Sequence, residues 1–318
     1  MPTNDKVRDI QLPVSLKRGE YPQTRFKEQL GAIKVRLMQA PTLAELLSYI
    51  PEFATATWQD RPIGSTGETS KYTDKERARI LVDVFSGRIL PTALETINLT
   101  FEINGLDYVD VTHILRHRMF SFSAQCTADR DMRHDDVVVK NAIMVDREFY
   151  NRYAEITVAA KQLYADMVDS NRISILDART ILTRNIETFY YIRGTLKDWL
   201  MFIEQRLDEQ IQPTSDNVIA LYVYREIARQ YPPLAGKFVI GGIDSWYVKT
   251  APTGRSSNIY PPKPANDVFD HKPEWFLYGD KRRQDFQGYE TYVEIRDAIA
   301  DEINEIGGYY ERYSRETD

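Results

Sequence analysis

Apolar and polar positions alternate most strictly in residues 97–103, INLTFEI. Ile97, Leu99, Phe101 and Ile103 face one way, and Asn98, Thr100 and Glu102 the other. A period of two predicts a half-buried strand. Elsewhere the period is helical. DKERARILVDVFSG (74–87) carries Ile80, Leu81, Val84 and Phe85 behind a polar lead, with Gly87 as a stop signal. In YVDVTHILRHR (108–118), Val111, Ile114, Leu115 and Arg118 recur at helical spacing, which puts His113, Arg116 and His117 on one face. Residues 148–169 predict a long amphipathic helix with Ile156, Ala160, Leu163, Tyr164 and Met167 on its stripe, and 175–182 a short one. The longest stripe is Phe189, Ile192, Leu196, Trp199, Leu200, Ile203 and Leu207, which reads as one helix over 186–208. Val218 to Tyr231 predicts a further helix, stopped by Pro232 and Pro233. A last helix, 289–306, bears Tyr292, Ile295, Ile299 and Ile306 and should end at Gly307-Gly308.

No repeat or low-complexity block interrupts this pattern. Residues 1–25 read as a polar irregular arm. Residues 251–277 hold five prolines and no periodicity, as in an extended crossing segment. The expected architecture is therefore α+β within the broad α/β class: a helix-rich single domain over 26–250 with a small, mostly antiparallel sheet. A C-terminal extension over 251–318 follows it.

Composition narrows the function classes. A chain of 318 residues, 42% hydrophobic, can bury a sizeable core. Its net charge of −6 argues against a general nucleic-acid or anionic-membrane binder, though a local basic pocket for a small phosphate ligand is compatible. A single cysteine excludes an intrachain disulfide framework and a Cys-based zinc site, and fits a reducing compartment. His134 and His271 have no partners at metal-ligand spacing, so no metal is expected. MPTNDKVRDIQLP holds no apolar signal region, and no window reaches the ~18 apolar residues of a spanning helix. These features predict a soluble cytoplasmic protein, or a phage protein acting in its host's cytoplasm.

The candidate chemistry lies in LRHRMFSFSAQC (115–126). Arginines offer planar forks of N–H donors that suit a phosphate or diphosphate. The bland alternative is a solvated helix end whose cations offset the dipole. The chain contains neither G-x-x-x-x-G-K-[ST] nor G-x-G-x-x-G, so a nucleotide cofactor would be held by side chains and helix ends. Cys126 has two readings, a thiolate that adds to C6 of a pyrimidine or a small packing residue. Tyr190-Tyr191 and Tyr309-Tyr310 are core or interface aromatics, or platforms for a flavin or folate ring.

Arg116-His117-Arg118 with its following serines resembles the RHR…S signature of the flavin-dependent (alternative) thymidylate synthases. Upstream, ILPTALETINLTFEI is similar to that family's H-x-T-P-F-E-H strand entry, with Thr92 and Glu95 kept. Downstream, the stretch from Asp177 is similar to A-R-x-x-L-P and N-x-R-S-L-x-x-F-L-x-x-R, with Ala178, Arg179, Leu182, Leu196, Phe202 and Arg206 in register. ALYVYREIA stands where the family has A-Q-x-E-I-R, so the resemblance covers about residues 25–235.

The resemblance implies an enzyme that moves the one-carbon unit of methylene-tetrahydrofolate to C5 of dUMP. FAD would be shared between subunits of a homotetramer, and NADPH would reduce it. Arg116, His117 and Arg118 would contact FAD, with Thr92, Glu95, Thr195 and Lys197 on the flavin side. Arg179 and Arg206 would grip the nucleotide as the catalytic arginines, and a fixed guanidinium at the pyrimidine edge stabilises charge building on the ring oxygen. His113 replaces the family's glutamine. Ser121 to Asp129 depart from its S-x-N-E-x-S-x-R-Y loop, which leaves Gln125, Cys126 and Arg130 (or Arg133) as the substrate-side residues. ADRDMRHDD reads equally as a solvated charged loop. These departures keep two alternatives open: a hydroxymethylase acting on dUMP or dCMP, and a non-catalytic nucleotide- or flavin-binding relative.

Overall fold

A computed structural model describes residues 24–56, 72–85, 91–207, 215–235 and 289–316. Nearly all of the N-terminal arm, Gly87 and the proline-containing segment lie outside the described residues. Strand β1 (Phe26–Glu28) leads through the short helix α1 (Gln29–Ala32) into β2 (Lys34–Gln39). Helices α2 (Leu43–Ala54) and α3 (Asp74–Phe85) pack on each other, and a 3₁₀ turn (Pro91–Thr96) enters β3 (Asn98–Leu106). Helix α4 (Tyr108–Ile114) precedes β4 (Ser121–Ala124), β5 (Val137–Val139), α5 (Asn141–Val145), the long α6 (Arg147–Asp169) and α7 (Ile175–Ala178). Strand β6 (Thr188–Thr195), α8 (Leu196–Arg206), α9 (Ser215–Gln230) and α10 (Tyr289–Glu316) complete the order.

The main sheet is four-stranded, β2-β3-β6-β4, and antiparallel throughout. A separate parallel pair joins β1 to β5. The expected helix-rich α+β architecture with a small, mostly antiparallel sheet is what the chain adopts. The alternation read in INLTFEI is carried out residue by residue: Leu99, Phe101 and Ile103 are fully buried under α8 and α9. Helix α9 is buried over most of its length, its polar first turn included, and sits between α8, α10 and β2, so it forms the centre of the core. A second cluster gathers Phe26, Val137, Val139, Tyr150, Tyr164 and Ile186 around the inner face of α6.

Four expectations need correction. The proposed helix over 186–208 is half strand. TFYYIRGT forms β6 in the middle of the sheet, and the helix begins only at Leu196. Thr195 caps it with a reciprocal box, its hydroxyl accepting from Asp198 N–H while Asp198 accepts from Thr195 N–H. Helix α4 stops at Ile114, and tight turns over 115–120 carry the Arg-His-Arg triplet instead. The last helix runs through Gly307 and Gly308 to Glu316, packing Tyr292, Ile299 and Ile303 into the core. On α6, Ile156 and Leu163 do not face the core: they are 64% and 42% exposed, while Tyr150, Ala154, Thr157, Lys161 and Tyr164 are buried. That helix carries two apolar faces, and a single periodicity cannot distinguish them. Among the described residues, no helix is long and apolar enough to cross a membrane.

Gly194 sits where β6 bends into α8. A Cβ there would fall 2.4 Å from the ring of Phe120, which itself stacks 4.3 Å from Trp199. The ring is wedged among Trp199, Phe122 and Phe202 and has little room to move. Gly194→Ala should therefore destabilise the fold by about 1–3 kcal/mol, the usual range for overpacking. Chemical denaturation checks this, and an unchanged midpoint would show that Phe120 is not fixed there.

Candidate functional site

Three groups of charged and polar side chains surround the β6–α8 unit. The first is at the start of α8. Lys197 Nζ lies 2.5 Å from Glu95 Oε1 and ties the helix to the 3₁₀ turn that also exposes Thr92. The Thr195 hydroxyl is engaged in its cap with Asp198.

The second group is at the far end of α8, about 14 Å away by helical rise. Arg206 Nη2 stands 2.8 Å from His117 Nε2. Guanidinium can only donate, so Nε2 accepts and the ring proton is on Nδ1. His117 is buried and lies edge-on to Phe202, with ring centroids 5.0 Å apart. Burial, then the Arg206 charge, lower its pKa to about 4 against the opposing pull of Asp216, so the ring is neutral at physiological pH. On the other side of the guanidinium, Arg206 Nε is 3.5 Å from Asp216 Oδ2, and His113 Nδ1 is 2.5 Å from the same oxygen. Asp216 is fully buried in the first turn of α9. Neither of its oxygens has a well-aligned hydrogen bond despite these close approaches. Arg116 and Arg118 flank His117 but turn outward, exposed and without a side-chain partner among the described residues. The triplet thus divides into one inward, neutral imidazole and two outward, unpaired cations.

The third group lies past the end of β4, beside the first residues of β6. Arg179 Nη1 donates to Thr127 Oγ1 at 2.7 Å, and the Thr188 hydroxyl donates to Gln125 Oε1 at 3.2 Å. Cys126 is exposed and free, its sulfur accepting only from Ala128 N–H. Arg130 pairs with Asp135 at 2.6 Å and Arg133 with Asp131 and Asp169, so both arginines are half-buried in ion pairs rather than freely solvated. Arg179 and Arg206 are therefore in separate groups, and no hydrogen bond or ion pair joins those groups among the described residues. Tyr190 is buried with an unpartnered hydroxyl, whereas Tyr191 is partly exposed. Among the described residues, no group of three or more His, Cys, Asp or Glu could hold a metal ion.

Sequence reasoning missed Asp216. Its signal was grammatical rather than periodic: Ser215-Asp216-Asn217 directly before an apolar run is a helix-start signature.

The family described as Thymidylate synthase complementing protein matches residues 46–233. The chain belongs to this family. It is 25% identical over 181 residues to a flavin-dependent thymidylate synthase of Pyrococcus furiosus, covering 56% of this chain and 69% of the relative. A flavin-dependent thymidylate synthase of Mycobacteroides abscessus is 26% identical over 165 residues, which span 47% of this chain and just under two thirds, 65%, of that protein. Among solved structures, a UMP/dUMP methylase, PolB, from Streptomyces cacaoi bound with 5-Br dUMP superposes with a TM-score of 0.52 at 16% identity. It covers 69% of this chain and 99% of that one. At that identity the likeness shows the fold. All three groups fall inside the family match, whereas β1, β2 and α10 lie outside it.

The depressed pKa of His117 has a consequence for stability. The unfolded chain takes up the proton near 6.5, before the folded chain does near 4. The contribution of neutral His117 is thus complete above about pH 6.5 and is lost as pH falls toward 4. The slope is at most about 1.4 kcal/mol per pH unit for one proton. Urea melts between pH 4 and 7 should show a shallower dependence for His117→Gln than for the wild type, and parallel slopes would refute the assignment.

Proposed function

We propose that the chain is a flavin-dependent enzyme that transfers a one-carbon unit from methylene-tetrahydrofolate to C5 of a pyrimidine deoxynucleotide monophosphate, converting dUMP to dTMP, with NADPH as reductant. The observation that carries this reading is the His117–Arg206–Asp216–His113 array beside two unpaired outward arginines. The donor set fits FAD. Arg116 and Arg118 offer two unoccupied guanidinium forks of the kind that bind a diphosphate, and neutral His117 presents an N–H at Nδ1. Glu95, Lys197, Thr92 and Thr195 would line the flavin side. When bound, the flavin supplies the hydride that completes the methyl group.

The protein's own part is electrostatic. Arg206, held on both sides, places a fixed positive charge where the pyrimidine oxygen gains negative charge, and it needs no reorganisation as the charge develops. Arg179 at the Gln125–Thr127 loop supplies the second cation, suited to the nucleotide phosphate. Names of relatives support the flavin and the nucleotide: curated relatives are called flavin-dependent, and PolB is described as bound with 5-Br dUMP. Homo-oligomerisation, with a tetramer as the family likeness implies, is supported by the outward face of α6. There Phe149, Ile156 and Leu163, seven residues apart, are all exposed.

Purified protein should be yellow or become so with FAD. Arg206→Ala should retain the flavin and lose at least 100-fold in turnover, in line with removal of one oxyanion-stabilising donor. Mass spectrometry of products from dUMP and from dCMP distinguishes methyl from hydroxymethyl transfer, and a chain that cannot be loaded with FAD would refute both. Ile156→Asp, at a position already exposed, should leave the fold intact and reduce the assembly in light scattering. An unchanged mass would rule out this face as the interface.

A further inference from the structure

Asp216 has an unusual position for a charge. It is fully buried, yet it does not point into solvent or toward any exposed cleft of its own. Two cationic or potentially cationic side chains converge on one of its oxygens, Arg206 at 3.5 Å and His113 at 2.5 Å. Those two are the side chains through which the site meets the outside. Arg206 is 17% exposed and His113 46%. The 2.5 Å approach turns His113 Nδ1 toward the carboxylate, and it favours the neutral tautomer that carries the ring hydrogen on Nδ1, although the N–H is not aimed along the contact. The opposite nitrogen, Nε2, then faces outward as an acceptor in the neutral ring.

We propose that Asp216 is the positioning residue of the nucleotide site. One buried carboxylate holds Arg206 and His113 side by side and fixes His113 with Nε2 as acceptor. The pair then reads a pyrimidine edge that offers an acceptor beside an N–H donor. This rests on the function proposed above. Uracil presents that edge with O4 beside N3–H, and cytosine with N3 beside its amino group. Arg206 donates to the acceptor atom and His113 Nε2 takes the adjacent N–H. Asp216 itself touches neither, because no part of it is exposed.

A purely structural ion pair would behave differently. Buried carboxylates that serve packing fill their lone pairs with aligned donors, and neither oxygen of Asp216 does so. The helix N-terminus around it stabilises the charge but imposes no direction on Arg206 or His113. Asn217 Nδ2, which donates to Arg206 O at 2.6 Å, already fixes the backbone between the two helices. What Asp216 adds is the placement of two side-chain heads.

The test uses the full chain loaded with FAD, as wild type, Asp216→Ala and Asp216→Asn. The four histidines are few enough to assign in nitrogen-15 spectra by single replacements. His113 should be the Nδ1–H tautomer in the wild type and shift to the Nε2–H form, common in free imidazole, in Asp216→Ala. Calorimetric Kd values and KM for dUMP and dCMP should rise at least tenfold for whichever nucleotide the wild type binds. Flavin affinity should stay within twofold, and kcat should fall less than KM rises. Asp216→Asn keeps an acceptor without the charge and should recover part of the loss. Wild-type His113 in the Nε2–H form, or Asp216→Ala binding nucleotide as the wild type does, would overturn the proposal. If Asp216→Ala does not fold, Asp216→Asn and the wild-type tautomer decide in the same way. A wild type that binds neither nucleotide overturns the proposed function itself, an outcome distinct from a wild type that binds and a variant that binds equally.

Discussion

The charged groups of the site all depend on a strand that becomes a helix with no loop between. Thr195 is both the last residue of β6 and the cap of α8, and its two reciprocal bonds with Asp198 close the junction. Because β6 is central in the sheet, its direction is set by pairing on both edges, and α8 inherits that direction. Trp199, Phe202 and Ile203 then fall into the core, which leaves Lys197 at one end of the helix and Arg206 at the other. The same junction fixes the Arg-His-Arg turns. Gly194 has no side chain, so Phe120 packs over it against Trp199, and Phe120 N–H closes the turn onto His117 O at 3.2 Å.

Helix ends also make the buried charges tolerable. Arg206 lies in the last turn of α8 and Asp216 in the first turn of α9. Each charge complements the dipole of its own helix, worth about 0.3–1 kcal/mol per end, before the two meet. Taking a carboxylate fully out of water costs several kcal/mol, which one cation at 3.5 Å in imperfect alignment would not offset. Two helix termini and a second partner in His113 lessen the deficit. The arrangement also explains the neutrality of His117, which faces the positive side of the pair while buried among Phe120 and Phe202.

Elements that bury one face for their whole length were legible in the chain. β3, α9 and α10 follow the spacing of Leu99 to Ile103, Val218 to Tyr231 and Tyr292 to Ile303. β6 was not legible as a strand, because Ile192 continues into Leu196 and Trp199 at intervals of four and three. A strand joined directly to a helix mimics one long helix. Only Gly194 and the Thr195–Asp198 cap marked the boundary. β1, β4 and β5, at three or four residues, are too short for any period to register. The Arg-His-Arg triplet stood out by its chemistry, but only the family resemblance chose between a phosphate-binding and a helix-end reading, because two arginines flanking a histidine fit both. Asp216 escaped because a buried partner leaves no periodic trace; its identity shows only once two helix ends are brought together.

Helix α6 links the remaining parts. Its inner face supports the loop that departs from the family pattern. The Tyr164 hydroxyl accepts from Met132 N–H at 3.2 Å, and Lys161 donates to the carbonyl of Asp135. Met132 and Asp135 lie in the segment that bears Arg130, a few residues after Thr127, the partner of Arg179. Its outer face leaves Phe149, Ile156 and Leu163 about half exposed, so each forgoes only part of the roughly 1.5–3 kcal/mol that full burial of such a side chain contributes. In the proposed assembly, the second copy that covers these side chains presses on the helix whose opposite side sets the nucleotide loop. The inner face of α6 thus carries the contacts to this loop, and its outer face is the surface assigned to the proposed assembly.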